Sequence, residues 1–336
     1  MGFTANAEHF VVLPAVAGTL LLLGEPSRGR SVPLISAGLL FGLAIVMKQH
    51  AALFALVGSV YVLYRDKWQR RLPLERCLGN LLRFGSGVVF PLGVTCIVLL
   101  VSGSFGRFWF WTVTYASEYA SAASLADWLP VLQTRVSAIV SASPLFVGLG
   151  VVGATALLWD RKARSLSVFL TLFLVSSIIA TCIGFYFRAH YFILLLPAVA
   201  IFAGLAVGAL ARRLAAIRPL MLANGIPLVI VIVAGAHSAY VERDVFFEMT
   251  PNMVSRAACG PSPFIESLKI AEYIRERSSE QDTIAVLGSE PQIYFYSDRR
   301  SATGYIYMYP LMEYQEVALE VQEEMITEIE RAEPRY

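Results

Sequence analysis

The chain has 336 residues, of which 57% are hydrophobic and 15% are charged, and its formal net charge is +2. Soluble domains average about 45–50% apolar and about 25% charged residues, so this composition excludes an ordinary soluble protein. The small net charge does not indicate a nucleic-acid partner. The apolar runs concentrate in residues 9–240, whereas 18 of the 25 acidic residues follow position 240. The sequence therefore predicts a transmembrane helical domain over 1–240 and an extracytoplasmic soluble domain over 241–336.

The transmembrane domain is predicted from stretches that approach the roughly 20 apolar residues needed to cross a bilayer. The stretch 33–64 is too long for one span and is interrupted by Lys48, Gln49 and His50. We interpret it as two short helices that meet at these polar residues. The sequence then predicts about eight transmembrane helices, at 9–24, 33–47, 50–64, 84–102, 136–159, 165–186, 191–211 and 219–238.

The orientation follows from the distribution of lysine and arginine among the loops. Loops 25–32, 65–83, 160–164 and 212–218 carry 14 of these cations, and the alternate loops carry four. The first set is predicted to be cytoplasmic. The chain is therefore predicted to be a multi-pass protein of the plasma (inner) membrane, with its C-terminal domain on the extracytoplasmic side. The four cations on the opposite face are Lys48, Arg107, Arg135 and Arg188.

Several polar side chains are predicted to lie together at the outer membrane boundary. Ionisable residues at membrane depth favour a functional site, although long cationic side chains also reach the interface without a function. The segment "FYFRAHYF" at 185–192 is the clearest case, because it places a basic residue and a histidine among aromatic rings beside an apolar run. The predicted group contains Asn6, Glu8, His9, Lys48, Gln49, His50, Arg188 and His190.

Three other features have simpler interpretations. Loop 103–135 is rich in aromatic residues and predicts interfacial segments, either a plain aromatic belt or a wall that guides a lipid-linked substrate. The glycine pairs Gly38/Gly42 and Gly204/Gly208 have GxxxG spacing, which close helix packing explains. The four cysteines show no metal-ligand spacing, so no metal site is predicted from them.

The C-terminal domain has a mixed pattern. Residues 265–280 have apolar positions at helical spacing, 283–288 are typical of a short buried strand, and 289–297 favour a short helix or turn. Residues 311–332 are acidic and predict a solvated helix. Together these elements predict an incomplete α/β domain.

The order of several segments resembles the GT-C superfamily of membrane glycosyltransferases, of the protein-mannosyltransferase and aminoarabinose-transferase type. Each segment is a weak motif alone, but together they cover most of the chain in an order that agrees with the predicted topology. The segments are "ANAEHFVVLP" (5–14), "GLLFGLAIVMKQHAALF" (38–54), "FRAHYFILLLPAVAIFAGL" (187–205) and "IAEYIRERSSEQDTIAVLGSEPQIYFYSDRRSATGYIY" (270–307).

The resemblance implies a sugar donor carried on polyprenyl phosphate, transferred with inversion to a lipid, glycan or protein acceptor outside the plasma membrane. A lipid phosphate needs cations at the headgroup level, and arginine suits phosphate by bidentate donation. Arg188 is the first candidate and Lys48 the second, while His190 is a candidate to donate to phosphate or to orient the acceptor. Glu8 is a candidate auxiliary acid or a ligand for sugar hydroxyls. Tyr191, Gln49 and Asn6 complete the predicted substrate-binding set; we expect no cofactor, and a divalent ion is left open.

The sequence also departs from this family. Relatives carry the expected catalytic aspartate in a large first outer loop, and no such loop precedes residue 5 here. We therefore expect a fragment that lacks its principal base and is inactive alone. A multi-pass transporter, which would show internal repeats and broken helices, and a non-catalytic scaffold in cell-surface glycan assembly are the alternatives.

Overall fold

The fold is that of a computed structural model, which describes residues 5–24, 32–121, 128–216, 220–313, 315 and 317–336. The chain divides into two compact units, Met1–Glu242 and Arg243–Tyr336. This division falls two residues after the boundary that the composition predicts. Both units are mainly helical.

The first unit consists mainly of α-helices. Its α-helices are α1 (Ala7–Leu23), α2 (Val32–Met47), α3 (Ala52–Tyr64), α4 (Leu74–Val101), α5 (Phe105–Trp109), α6 (Tyr115–Ser121), α7 (Trp128–Ala142), α8 (Pro144–Trp159), α9 (Arg161–Ser165), α10 (Ser167–Cys182), α11 (Leu196–Ala215) and α12 (Leu220–Val241). Tighter or wider helical turns lie at Gln49–Ala51, Arg65–Gln69, Phe110–Thr114 and Ala189–Leu195.

Two helical segments of the described residues are long and apolar enough to cross a bilayer, Leu74–Val101 and Ala189–Ala215. The bent pair α7 and α8 makes a third if it is counted as one span. These segments are those of a membrane-associated helical protein, and the full set of eight spans stays a prediction. Shorter apolar helices, below the usual spanning length, occur at Ala7–Leu23, Val32–Met47, Ser167–Cys182 and Gly225–Val241.

The predicted span 136–159 is wrong as a continuous helix. α7 ends at Ala142, α8 begins at Pro144, and the two axes are bent by 102°. Pro144 has no backbone N–H to donate to the preceding turn, and a proline disfavours helical geometry in the residue before it. Ser143 accordingly leaves the helical region, with φ −144° and ψ 54°.

Parts of the predicted loops lie outside the described residues. The aromatic loop 103–135 forms α5, the turn Phe110–Thr114, α6 and the start of α7, but its residues 122–127 are outside the described part. Loop 25–32 is outside except for its last residue, and so are residues 217 and 218 of loop 212–218. The cations Arg28, Arg30 and Arg218, which contribute to the predicted orientation, are in these stretches.

Glycines on both helices let α2 and α4 pack closely together. A Cβ atom added at Gly38 would lie 2.1 Å from the Phe84 carbonyl oxygen, and one at Gly87 would lie 2.3 Å from the Ile35 carbonyl oxygen. Only glycine lets two backbones approach this far. Phe41 of α2 meets Phe84 of α4 edge to face, with ring centroids 5.8 Å apart.

The two GxxxG pairs differ in their surroundings. Gly38 and Gly42 of the first pair both face α4, since a Cβ at Gly42 would lie 2.4 Å from the Val88 carbonyl oxygen. At Gly204 of the second pair, the described part of the structure places nothing within 4 Å of an added Cβ. Close packing therefore accounts for the first pair. α8 and α11 instead meet at Gly153, where an added Cβ would overlap the Phe202 carbonyl.

The second unit contains short helices around one pair of parallel strands. β1 (Thr283–Ile284) pairs in parallel with β2 (Arg300–Ser301). The amphipathic helix predicted at 265–280 is confirmed as α14 (Glu266–Glu276), whereas the predicted strand 283–288 is limited to two residues. The α/β description of this domain stays a prediction. The remaining helices are α13 (Pro251–Cys259), α15 (Gln292–Ser297), α16 (Tyr309–Met312) and α17 (Ala318–Ala332), with a wider turn at Asp244–Glu248.

A buried arginine holds the elements of the second unit together. Arg299 is 8% exposed, and its guanidinium donates to the backbone carbonyls of Arg275, Ser278, Ser297 and Asp298. It also donates to the Ser278 hydroxyl at 2.8 Å. These bonds join the end of α14, the end of α15 and the start of β2, because one planar guanidinium reaches all three.

Candidate functional site

Some of the predicted polar residues of the first unit meet where α1 begins, where α2 ends and at the turn before α11. α2 ends at Met47, and Lys48 then takes an extended conformation, with φ −158° and ψ 130°. This break turns the Lys48 side chain away from the α2 axis before Gln49–Ala51 starts the next turn. α1 begins at Ala7, beside this break, and the turn Ala189–Leu195 leads into α11.

Glu8 is the buried centre of the cluster. Its side chain is 1% exposed, and one carboxylate oxygen accepts a hydrogen bond from the Lys48 ammonium in an ion pair. The same oxygen lies 4.0 Å from His190 Nε2. Among the described residues, Glu8 is the one carboxylate within ion-pair distance of either Lys48 or His190. A buried carboxylate needs such a partner, since its charge is costly away from water.

Tyr191 packs against Lys48 and two histidine rings of the cluster. The Lys48 ammonium lies 4.2 Å from the centre of the Tyr191 ring, a cation–π distance. The His190 ring meets the Tyr191 ring edge on at 4.9 Å, and the His50 ring lies 5.8 Å from it. Tyr191 is only 9% exposed, so it forms a wall of the cluster and keeps Lys48 in place.

Gln49 and Asn6 have different positions from the central group. The Gln49 side-chain amide donates to the Thr112 backbone carbonyl, which joins the α2–α3 break to the aromatic loop. Asn6 directly precedes α1, and its backbone carbonyl accepts from the His9 amide at 3.1 Å. Thr112 could not be found from the sequence, because the contact uses a backbone group that every residue carries.

Arg188 lies on a strained turn and points to solvent. Its guanidinium is exposed and lies 5.6 Å from the centre of the Tyr186 ring. The preceding residues Phe185 and Phe187 have positive φ angles of 55° and 42°, after Gly184 at 74°. Positive φ is costly for side chains other than glycine and is found where surrounding structure enforces it. The turn thus holds Arg188 outward, next to the cluster.

Trp128 supports this turn from α7. Its ring lies 6.2 Å from the Phe185 ring and 6.1 Å from the Phe187 ring, between centroids. Phe187 is 1% exposed. The sequence shows Trp128 only as one aromatic of loop 103–135, and nothing in its spacing indicates this contact.

The cluster combines one neutralised pair with one outward cation. Glu8 and Lys48 form an ion pair, half-buried His190 lies 4.0 Å from the same carboxylate, and the nearby Arg188 is exposed. The arrangement suits an anionic group approaching from the side of Arg188. Of the described residues, no group of three or more His, Cys, Asp or Glu side chains has the geometry of a metal site.

Comparisons of the chain with protein-family models, with curated proteins and with solved structures find no match. The residues of the site and the resemblance of the sequence are therefore the basis for a functional proposal.

Proposed function

We propose that the chain is a glycosyltransferase that moves a sugar from a polyprenyl-phosphate carrier to a lipid, glycan or protein acceptor. In this proposal the chain crosses the plasma membrane about eight times. The candidate site and an α/β domain then lie on the outer face. Its partners are the lipid-linked donor, membrane lipids and the acceptor.

The observation that carries the proposal is the exposed Arg188 beside a cluster that the Glu8–Lys48 ion pair holds together. Arg188 follows a strained turn and lies in the chain next to His190 and Tyr191, which contact the distant Lys48 and its partner Glu8. A guanidinium at the end of an apolar helix suits a phosphate whose hydrocarbon chain lies in lipid. The resemblance to lipid-linked sugar transferases adds the sugar to this phosphate.

The proposed reaction is a single displacement at the anomeric carbon. An acceptor oxygen forms a bond to that carbon while the bond to the phosphate oxygen breaks, and polyprenyl phosphate leaves with the bonding electrons. Arg188 stabilises the negative charge on this phosphate, and His190 donates to it or to the acceptor. Glu8 fixes Lys48 and is assigned here as a positioning residue, and its role as auxiliary acid stays a prediction. The acceptor proton passes to a base that the proposal does not assign.

Binding of a polyprenyl phosphate to the purified chain in neutral detergent tests the proposal. Arg188→Ala should weaken binding by about tenfold or more, because a charge-assisted contact to phosphate is lost. The matched control is Arg135→Ala, an exposed arginine predicted on the same face, which should bind as the wild type does. The phosphate-free polyprenol should not distinguish the variants. Equal binding of the phosphate by wild type and Arg188→Ala would remove Arg188 from the site.

A second variant tests the positioning role of Glu8. Glu8→Gln leaves the Lys48 ammonium without its carboxylate, so Lys48 should move and the Tyr191 contact should loosen. We expect weaker phosphate binding together with lower thermal stability, since removing one partner of a buried pair costs about 3–5 kcal/mol. The double variant Glu8→Gln/Lys48→Met should recover stability but not phosphate affinity. Full recovery of both would show that the pair is structural only.

A transporter is the second candidate, favoured by the 102° bend between α7 and α8 and by the break at Lys48. Broken helices line substrate paths in transporters, whose sites open to each side in turn. Arg188→Cys, in a chain whose four native cysteines are replaced by alanine, separates the two. Labelling of oriented vesicles with an impermeant maleimide from the outer side alone supports the transferase. Labelling from both sides supports the transporter.

A further inference from the structure

Three basic stretches, far apart in the sequence, are joined into one surface of the first unit. The Gln69 side chain donates to the Ser165 carbonyl at 3.2 Å, which joins the turn after α3 to α9. Arg212 at the end of α11 donates to Asp160, just before α9, at 2.8 Å. We call this surface the basic face; it consists of 65–71, 160–165 and 212–213.

The basic face has a large excess of positive charge. Its two carboxylates are already engaged: Asp66 is 0% exposed and bonded to Arg65 and Asn80, and Asp160 is paired with Arg212. Six of its exposed cations have no carboxylate within 4.0 Å among the described residues. The exposed cations are Lys67, Arg70, Arg71, Arg161, Lys162, Arg164, Arg212 and Arg213, and all but Arg70 and Arg212 belong to the six.

Tryptophan and leucine side chains lie directly beside these cations. Trp68 is 68% exposed and stacks on Tyr64, with ring centroids 5.9 Å apart. Trp159 lies under the Arg213 guanidinium at 4.7 Å, and its neighbour Leu158 is 79% exposed. Exposed indoles next to apolar side chains are typical of the headgroup level of a bilayer.

We propose that the basic face binds the headgroups of anionic phospholipids. Cations in excess provide the attraction to the phosphodiester, and the two tryptophans place the face at the depth of that phosphate. The predicted orientation puts this face on the cytoplasmic side, opposite Arg188. The inference is thus independent of the proposed transferase activity, because it uses no residue of the candidate functional site.

Retention of phosphatidylglycerol by the full chain in neutral detergent, measured by native mass spectrometry, tests this inference. Wild type should retain phosphatidylglycerol about tenfold more strongly than phosphatidylcholine, and added salt should reduce the difference. Lys67→Gln/Lys162→Gln should abolish most of the preference, since neither lysine is ion-paired in the described structure. The matched control, Arg107→Gln/Arg135→Gln, removes two cations from the opposite predicted face and should keep it.

A variant that should increase the preference for phosphatidylglycerol makes the test stricter. Asp160→Asn removes the carboxylate that neutralises Arg212, so it should increase the preference for phosphatidylglycerol by about threefold to tenfold. Only variants whose thermal stability matches that of wild type are compared. If the lysine variant unfolds, Arg161→Gln/Arg164→Gln replaces it. Equal retention of both lipids by wild type would overturn the proposal. So would an equal loss in the control variant, which would indicate diffuse attraction by net charge.

Discussion

Replacement of Gly38 by alanine should separate α2 from α4. The added Cβ would lie 2.1 Å from the Phe84 carbonyl oxygen, about 1.3 Å inside the 3.4 Å at which ordinary contact begins. Because the obstacle is backbone, no side chain can rotate away, and the reciprocal contact of Gly87 with Ile35 is lost as well. Overpacking of this kind costs about 1–3 kcal/mol or more, against a gain of up to about 1 kcal/mol in helix propensity. Because the clash is with backbone, the upper cost applies, and we expect a net loss of about 2 kcal/mol.

The assay is unfolding of the full chain in mixed micelles, followed by tryptophan fluorescence. Gly204→Ala is the control, since nothing among the described residues lies within 4 Å of its added Cβ. It should be neutral or slightly stabilising, because alanine is the better helix former. If Gly38→Ala were as stable as Gly204→Ala, the backbone contact between α2 and α4 would be refuted.

Two further predictions concern charged side chains outside the candidate site. Arg299→Ala should destabilise the second unit by about 3 kcal/mol, because four backbone carbonyls lose their donor, whereas exposed Arg300→Ala should have little effect on protection from proteolysis. The backbone N–H of Ala163, followed by Arg212, holds the pKa of Asp160 below its usual 3.8. Ionised Asp160 therefore stabilises the folded state above about pH 3.8, and this contribution is lost as the pH falls through the lower pKa of the folded state. In a plot of melting temperature against pH, Asp160→Asn should therefore fall less steeply than wild type below about pH 3.8. Equal slopes for the two proteins would contradict this.

The sequence allowed the candidate cluster to be predicted as a group but not as a set of contacts. Alternating charge in the loops assigns Glu8, Lys48 and His190 to one end of the bundle, because each crossing reverses the side. That rule assigns each helix end to one side of the membrane and says nothing about individual side chains. It does not specify that Glu8 pairs with Lys48 while Arg188 faces solvent, since those choices depend on the turns at both residues.

The differences at α7 and β1 have local causes. The apolar pattern of 136–159 favours one helix, yet Pro144 interrupts it, because a missing donor outweighs a favourable hydrophobic run. Such a serine–proline pair is visible in the sequence and is a boundary signal. The short strand β1 has no equivalent signal, since the length of a strand is fixed by its pairing partner.

The strained turn before Arg188 has a consequence for how such chains can evolve. Phe185 and Phe187 keep positive φ angles while both rings contact Trp128, a residue nearly 60 positions earlier. The orientation of the arginine then depends on an indole that contacts the two phenylalanine rings. Position 128 should vary together with 185 and 187 among homologous chains. Chains without the indole should carry glycine at 185 or 187, since glycine adopts a positive φ angle without support.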